Sequence, residues 1–253
     1  MNYLTNLIDF HTHLDQYNEK QLYSELEHFD GIIVSSSVNY NSYLKNKRIE
    51  QNAPYNAKII PAFGIHPKYA DNVPIDLSIY DTTCNQSPLI GEIGMDFCWY
   101  KDSTPLQQEI VFRYFLEHCH HNNKYCIIHT KDAEKLICRI LEEYPNCKPI
   151  IHWYDGPLDI YEEFIHRGYY QTFGCETCRS KNIQNMLLKT PQNLILAETD
   201  NPESEIWLGG NDSSIFLINK IYQDIANVLG TTLVHVQEII NSNSTQILKE
   251  LKL

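Results

Sequence analysis

The chain has 253 residues, of which 43% are hydrophobic and 21% are charged, and its formal net charge is −12. These proportions are typical of a globular protein that buries a sizeable core. The acidic balance excludes binding to nucleic acid by general charge attraction alone, because proteins that rely on that attraction are normally basic. Any contact with nucleic acid must therefore be local.

The sequence carries no sign of membrane insertion or export. No apolar run approaches the roughly 20 residues that span a bilayer. The first apolar run contains Asp9 and His11 and has no basic residue before it, which is unlike a signal peptide. Eight cysteines are spread irregularly from Cys84 to Cys178, unlike a dense disulfide framework. We therefore expect a cytoplasmic protein with reduced thiols and no membrane contact.

Eight short apolar segments predict strands. In chain order they are "NLIDF", "GIIVSSS", "KIIPAFGI", "PLIGEIGMDF", "KYCIIHT", "KPIIHWY", "YYQTF" and "NLILAETD". Several are almost continuously apolar, as is usual for parallel strands that are covered on both faces. Helical patterns cover 105–121, 132–144, 158–167, 180–189, 213–229 and 233–251, while 39–56 is helix or loop.

The alternation of these elements predicts the fold class. Eight strands alternating with helices in 253 residues favour a single α/β domain, a TIM-like (β/α)8 barrel over residues 1–253. A doubly wound open sheet is the alternative. No internal repeat or linker-like stretch indicates a domain boundary.

Ionisable side chains follow several predicted strands. His11 and His13 are two residues apart, so the alternation of a strand puts both rings on one face. The later residues of this kind are Glu92, His129, His152 and Asp200. Burying such groups is costly unless they are paired or bind an ion, and the strand ends of a barrel converge on one face.

Nitrogen and carboxylate donors in these numbers suit two divalent ions. Zn²⁺ or Mn²⁺ fits four histidines with two carboxylates, and Mg²⁺ is less natural because so many donors are nitrogens. For any single residue the alternative is a strand-end side chain that bonds only to the backbone.

Six motifs carry a resemblance to a known family. They are "DFHTHLD" at 9–15, "FGIHP" at 63–67, "GEIGMDF" at 91–97, "IHTKDAE" at 128–134, "HWYDG" at 152–156 and "ETDNP" at 198–202. In this order, over nearly the whole chain, they resemble the TatD family of metal-dependent hydrolases. Members of that family are known chiefly as deoxyribonucleases, often exonucleases, on a TIM-like barrel of the amidohydrolase group.

The resemblance implies roles for the strand-end residues. One ion would be held by His11, His13, Glu92 and Asp200, and the other by Glu92, His129 and His152. Glu92 would bridge the ions, and Asp200 would orient or deprotonate the attacking water. With two ions, the expected chemistry is hydrolysis of a phosphodiester by in-line displacement.

Three further residues are candidates for substrate contacts. The resemblance suggests that His66 touches a substrate phosphate, and Lys131, two residues after His129, is placed to do the same. Trp99, which precedes Tyr100 on a loop, can stack on an unpaired base. The alternatives are a hydrogen-bonded loop histidine, a solvated lysine and ordinary packing of the loop.

The sequence also departs from the family pattern. Glu203 and Glu205 stand where positive charge would help DNA binding, and "HWYDG" places Trp153 and Asp155 beside the site. The "TDNP" segment with Trp207 resembles the QatD branch of anti-phage Qat systems, which implies protein partners encoded in a defence operon.

Three functions remain open at this point. The first is a phosphodiesterase acting on DNA ends or single strands. The second is a small-molecule amidohydrolase or esterase with the same metal centre, and the third is a binding module in which the metals support the fold.

Overall fold

The computed structural model describes residues 5–100 and 103–253. The eight strands form one parallel sheet, and their order in the sheet is their order in the chain. They are β1 (Leu7–Thr12), β2 (Gly31–Ser36), β3 (Ala57–Phe63), β4 (Leu89–Asp96), β5 (Tyr125–Lys131), β6 (Lys148–Ile151), β7 (Tyr170–Phe173) and β8 (Ile195–Ala197). Sequential order excludes the doubly wound alternative, which has a point where the strand order reverses. The predicted (β/α)8 barrel topology is confirmed.

Helices occupy the connections between strands and the C-terminal part. They are α1 (Glu19–Leu26), α2 (Tyr40–Asn52), α3 (Asp81–Gln86), α4 (Pro105–Asn122), α5 (Glu134–Glu142), α6 (Leu158–His166), α7 (Lys181–Lys189), α8 (Ser204–Trp207), α9 (Leu217–Leu229) and α10 (Leu233–Glu250). The stretch 39–56, predicted as helix or loop, contains α2. Among the described helices, none is long and apolar enough to cross a membrane.

Local signals explain where several helices begin. The Thr104 side chain accepts the backbone N–H of Gln107, and Pro105 occupies the first turn of α4, where a missing N–H costs nothing. Ser180 caps α7 in the same way through the N–H of Ile183. Both boundaries fall where the capping residues indicate.

The chain divides into two compact units, and the prediction of a single domain over 1–253 stays a prediction. The first unit comprises Met1–Ser35, Lys45–Ile60 and Gln171–Leu253, and the second comprises Ser36–Leu44 and Pro61–Tyr170. Each unit therefore combines segments that are distant in sequence.

In the first unit, β1 lies beside β8 as well as β2. The N–H of Asp200 donates to the carbonyl of His11 at 2.9 Å, and the N–H of His13 donates to the carbonyl of Asn201, also at 2.9 Å. The buried Tyr222 hydroxyl ties α9 to β1, because it donates to the carbonyl of Ile8 and accepts its N–H, both at 3.0 Å. The first and last strands are thereby joined.

In the second unit, the longest strand pairing is between β4 and β5. Gly94 is paired with His129, and Asp96 with Lys131, so the functional residues of the two strands are in register. Helix α4 packs Phe112, Phe115 and Leu116 into the core, where each is fully buried. Burial of a large apolar side chain contributes roughly 1.5–3 kcal/mol to the free energy of unfolding.

Gly94 allows this close pairing. Its φ is +147°, and a Cβ at this position would lie 2.0 Å from the carbonyl oxygen of His129. We expect Gly94→Ala to lower the free energy of unfolding by about 3 kcal/mol, measured by urea denaturation. The control is Gly168→Ala, where φ is +76° but no atom lies within 4 Å; an equal loss in both variants would contradict the steric explanation.

Candidate metal-binding site

In the first unit, two histidines and one aspartate converge. His11 is in β1 and His13 follows it, while Asp200 comes three residues after β8. The Nε2 atoms of both histidines lie 3.2 Å from the same atom, Oδ1 of Asp200, and all three residues are buried. The rings of His11 and His13 therefore meet at one carboxylate, although His13 lies one residue beyond the end of β1.

The backbone of Asp200 takes an uncommon conformation. Its φ is +50°, in the left-handed region that residues other than glycine seldom adopt. Such a conformation costs on the order of 1–3 kcal/mol and is found mostly at functional sites. Burial opposes ionisation of Asp200, but hydrogen bonds from His11 and His13 outweigh it and hold the pKa of Asp200 well below its usual range. The residue is a carboxylate at neutral pH.

Asp9 connects His11 to the segment that carries Asp200 by hydrogen bonds. Its Oδ1 accepts the N–H of His11 at 3.2 Å and the N–H of Thr199 at 3.0 Å, and its Oδ2 accepts the Thr199 hydroxyl at 2.6 Å. Burial raises the pKa of Asp9 to about 8 despite the hydrogen bonds from Thr199. Asp9 thus fixes the end of β1 against the segment that carries Asp200, and the sequence analysis did not identify Thr199.

In the second unit, three histidines surround one glutamate oxygen. Oε1 of Glu92 lies 2.8 Å from Nδ1 of His129, 2.8 Å from Nε2 of His152 and 3.5 Å from Nε2 of His66. Glu92 is 2% exposed, so water is nearly excluded from its carboxylate. Burial raises the pKa of Glu92, but the charges of His66 and His152 and the hydrogen bonds from His129 and His152 lower it well below the usual range.

The backbone around Glu92 explains why glycine occupies position 64 of the motif "FGIHP". The N–H of Glu92 donates to the carbonyl of Ser37 at 3.1 Å. A Cβ on Gly64, in "FGIHP", would lie 2.4 Å from the carbonyl oxygen of Glu92. Only glycine permits this approach, which brings His66 to the same carboxylate.

Asp96 is a functional residue that the sequence analysis missed. Its Oδ2 lies 2.9 Å from Nε2 of His129, while its Oδ1 accepts the N–H groups of Cys98 and Trp99 at 2.9 and 2.7 Å. With Nε2 of His129 beside Asp96, Nδ1 of the same ring faces Oε1 of Glu92 at 2.8 Å. Period two along β4 puts Asp96 on the face of Glu92, so the spacing E-x-x-x-D was a usable signal.

The contact between Asp96 and His129 leads to a testable expectation. A carboxylate that orients a metal-ligating histidine typically contributes 10–100-fold to metal affinity or activity. We expect Asp96→Asn to lower the hydrolytic rate and the affinity for divalent ions by about this factor. Ion affinity is measured by competition with a chelating dye. A variant with unchanged affinity would show that Asp96 only supports the loop that begins at Cys98.

The predicted substrate residues all lie in the second unit. His66 has its Nδ1 occupied by the N–H of Lys68 at 3.1 Å, and its ring lies 4.6 Å from that of His129. The Nζ of Lys131 donates to Asp155 and to the carbonyl of Trp153. Trp99 is 51% exposed, and its ring lies 4.8 Å from the Nζ of Lys131. Phosphate contacts of His66 and Lys131 stay predictions.

The chemistry of both donor sets fits divalent metal ions. Each set combines buried imidazole nitrogens with a carboxylate that is ionised at neutral pH, which is the ligand chemistry of Zn²⁺ and Mn²⁺. Within the second unit, donor atoms of His66, Glu92 and His129 lie within 4.8 Å of one another. The number and identity of the ions stay predictions.

Comparison with known proteins decides the family. A family model described as TatD related DNase matches residues 8–249. The chain belongs to the TatD family. An uncharacterized metal-dependent hydrolase of Methanocaldococcus jannaschii is 24% identical over 251 residues, which are 96% of each chain. Deoxyribonuclease TATDN3 of Homo sapiens is 23% identical over 268 residues, covering 97% of this chain and 96% of the human one.

A solved structure supports the fold. The TatD homolog YJJV of Escherichia coli superposes with a TM-score of 0.81 at 17% identity, over 95% of this chain and 97% of that one. The predicted resemblance and the TIM-like fold are therefore confirmed. As a TatD family member, the protein is a metal-dependent hydrolase.

Proposed function

We propose that this TatD family protein is a divalent-metal-dependent phosphodiesterase that acts on DNA ends or single strands. The observation that carries the proposal is the convergence of three imidazoles on one ionised glutamate oxygen, that of Glu92, inside a buried pocket of donors. A full-length relative named as a deoxyribonuclease supports DNA as the substrate class.

Each donor set would hold one ion. His11, His13 and Asp200 are the ligands of the first, and Glu92, His129 and His152 are those of the second. The bridging role of Glu92 that the resemblance implies stays a prediction. When bound, such ions supply Lewis acidity toward the oxygens of a phosphodiester and toward water.

Side chains of the protein would transfer the proton of the attacking water and hold the ligand rings in place. Asp200 is ionised, so it can accept the proton of the attacking water as the new P–O bond forms, and return it to the oxygen of the departing nucleotide as that P–O bond breaks. Asp96 holds the ring of His129 in place throughout. The Nε2 atom of His66 lies 3.5 Å from Oε1 of Glu92, and the contact of His66 with a substrate phosphate stays a prediction.

One of the two acidic residues after β8 counts little against a DNA substrate. Glu205 is buried and pairs with Arg179, whose Nη2 lies 2.6 Å from Oε2 of the glutamate. Its charge is therefore compensated, and only the exposed Glu203 and the net charge of −12 favour an amidohydrolase or esterase.

A parallel substrate screen tests the proposal. The purified protein with Mn²⁺ is offered a labelled single-stranded oligonucleotide, its duplex, a lactone, a carboxylic ester and an amide. We expect stepwise shortening of the single strand and slow or no turnover of the other classes. Faster hydrolysis of the lactone or amide would replace this proposal with the small-molecule one.

Finer aspects of the function rest on sequence alone. Exonuclease action, a cytoplasmic location and participation in a Qat-type defence system with protein partners stay predictions. The last of these depends on "TDNP" and on Trp207, which lies at the end of α8 and is 52% exposed.

A further inference from the structure

Lys131 lies at the end of β5, enclosed by aromatic and acidic groups. Its Nζ donates to Oδ1 of Asp155 at 2.7 Å and to the carbonyl of Trp153 at 3.1 Å. The same atom lies 4.8 Å from the ring centre of Trp99 and 5.9 Å from that of Trp153. Lys131 is only 5% exposed, so its charge is already compensated.

This environment changes the expected role of Lys131. A substrate phosphate would have to displace Asp155, because the ammonium group is nearly buried and its hydrogen bonds are directed to protein oxygens. Lys131 therefore acts through its neighbours: it fixes one oxygen of Asp155 and supports the ring of Trp99 by a cation–π contact.

Trp99 offers an aromatic surface beside the candidate metal ligands. Its ring centre lies 6.4 Å from that of His129, and its backbone N–H is bound by Asp96. The side chain is supported by Lys131, yet the residue is 51% exposed. An exposed, supported indole is a platform on which an unpaired base can stack.

Asp155 offers a hydrogen-bond acceptor next to that platform. Its side chain is 47% exposed although Oδ1 binds Lys131. A carboxylate has about four acceptor positions, so it can accept further N–H groups. Adenine, cytosine and guanine carry amino groups that donate to such an acceptor, whereas thymine has no amino group and its N3–H is flanked by two carbonyl oxygens that repel a carboxylate.

We propose that Trp99 and Asp155, held in place by Lys131, form a subsite for one unpaired nucleobase and favour amino-bearing bases over thymine. This subsite rests on the proposed function, because only a nucleic acid substrate brings a base to it. The stacking surface would give affinity for any base, and the carboxylate would give the preference.

Homopolymers of equal length test the subsite. With Mn²⁺, we expect kcat/KM for oligo-dA and oligo-dC to exceed that for oligo-dT by about tenfold, the usual effect of one hydrogen bond. Asp155→Asn should reduce this ratio to about one, because an amide also donates to the carbonyl groups of thymine. Trp99→Ala should lower kcat/KM for all three at least about fivefold while keeping the ratio.

The control is Asp159→Asn, which removes an exposed carboxylate in the first turn of α6 and should leave the ratio unchanged. A wild-type protein without base preference, or an Asp155→Asn variant that keeps the wild-type ratio, would overturn the subsite while the nuclease activity stands.

Calorimetric binding of dCMP and dTMP separates the remaining outcomes. If the wild type cuts no homopolymer but binds dCMP more tightly, and Asp155→Asn removes the difference, the proposed function fails and the subsite stands. If neither cutting nor differential binding is observed, both fail.

Discussion

Glu92→Gln is expected to lower the rate of single-strand DNA hydrolysis by more than about 10³-fold. Oε1 of Glu92 is approached by nitrogens of His129, His152 and His66, at 2.8, 2.8 and 3.5 Å. Glutamine preserves the shape but removes the negative charge, so a divalent ion is bound far less tightly. The rate is measured on a labelled oligonucleotide at saturating Mn²⁺.

Two controls make this result specific. Glu117→Gln, at a carboxylate that is 57% exposed on α4, should retain the wild-type rate. Circular dichroism should show that Glu92→Gln is folded, because the substitution changes no packing volume. A folded Glu92→Gln variant with the wild-type rate would remove Glu92 from the reaction.

Asp200→Asn is the second substitution with a large expected effect. Asp200 gives the first unit its carboxylate, and its Oδ1 is the atom that His11 and His13 both approach at 3.2 Å. We expect loss of activity by more than about 10²-fold and loss of about half of the bound metal, because the other donor set is unchanged. Metal content is measured by atomic emission after gel filtration.

The matched substitution is Glu238→Gln on α10, whose side chain is 70% exposed and which should keep both the activity and the metal. Full metal content in Asp200→Asn would contradict the assignment of an ion to the first unit. Full activity with half the metal would instead show that one ion is sufficient.

The strand order and the residues of the candidate metal site were predictable because they follow from short-range regularities. Apolar runs define the strands, and alternation along β1 places His11 and His13 on one face. Glu92 and Asp200 stand out because each is a charged residue within or at the end of a largely apolar segment. None of these inferences needs a contact between distant residues.

Other features depend on contacts that no local pattern contains. The pairing of Lys131 with Asp155 joins residues 24 positions apart, and it directs the ammonium group to a protein oxygen, while the expected phosphate contact of Lys131 stays a prediction. The pairing of Glu205 with Arg179 similarly compensates a charge that the sequence alone left exposed. Short helices such as α3 and α8 also escaped prediction, because a segment of four to six residues carries little periodic signal.

Gly94 is visible in the sequence, but the reason for a glycine at this position appears only in the structure. The sequence shows Gly94 within a strand, where glycine is unfavourable by propensity. Its reason appears only in the structure, where the carbonyl of His129 occupies the space of a Cβ. The same residue that weakens the strand therefore brings His129 into register with β4.

Metal-dependent hydrolysis of DNA is tested most directly by removing the metal ions from the wild-type protein and adding them back. Protein treated with a chelator and desalted is titrated with Mn²⁺ while the initial rate of single-strand oligonucleotide cleavage is followed. The predicted result is no cleavage by the stripped protein and a rate that saturates at about two equivalents of ion. Full cleavage by stripped protein, or no cleavage with Mn²⁺, Zn²⁺ or Mg²⁺ at any ratio, would contradict the proposed function.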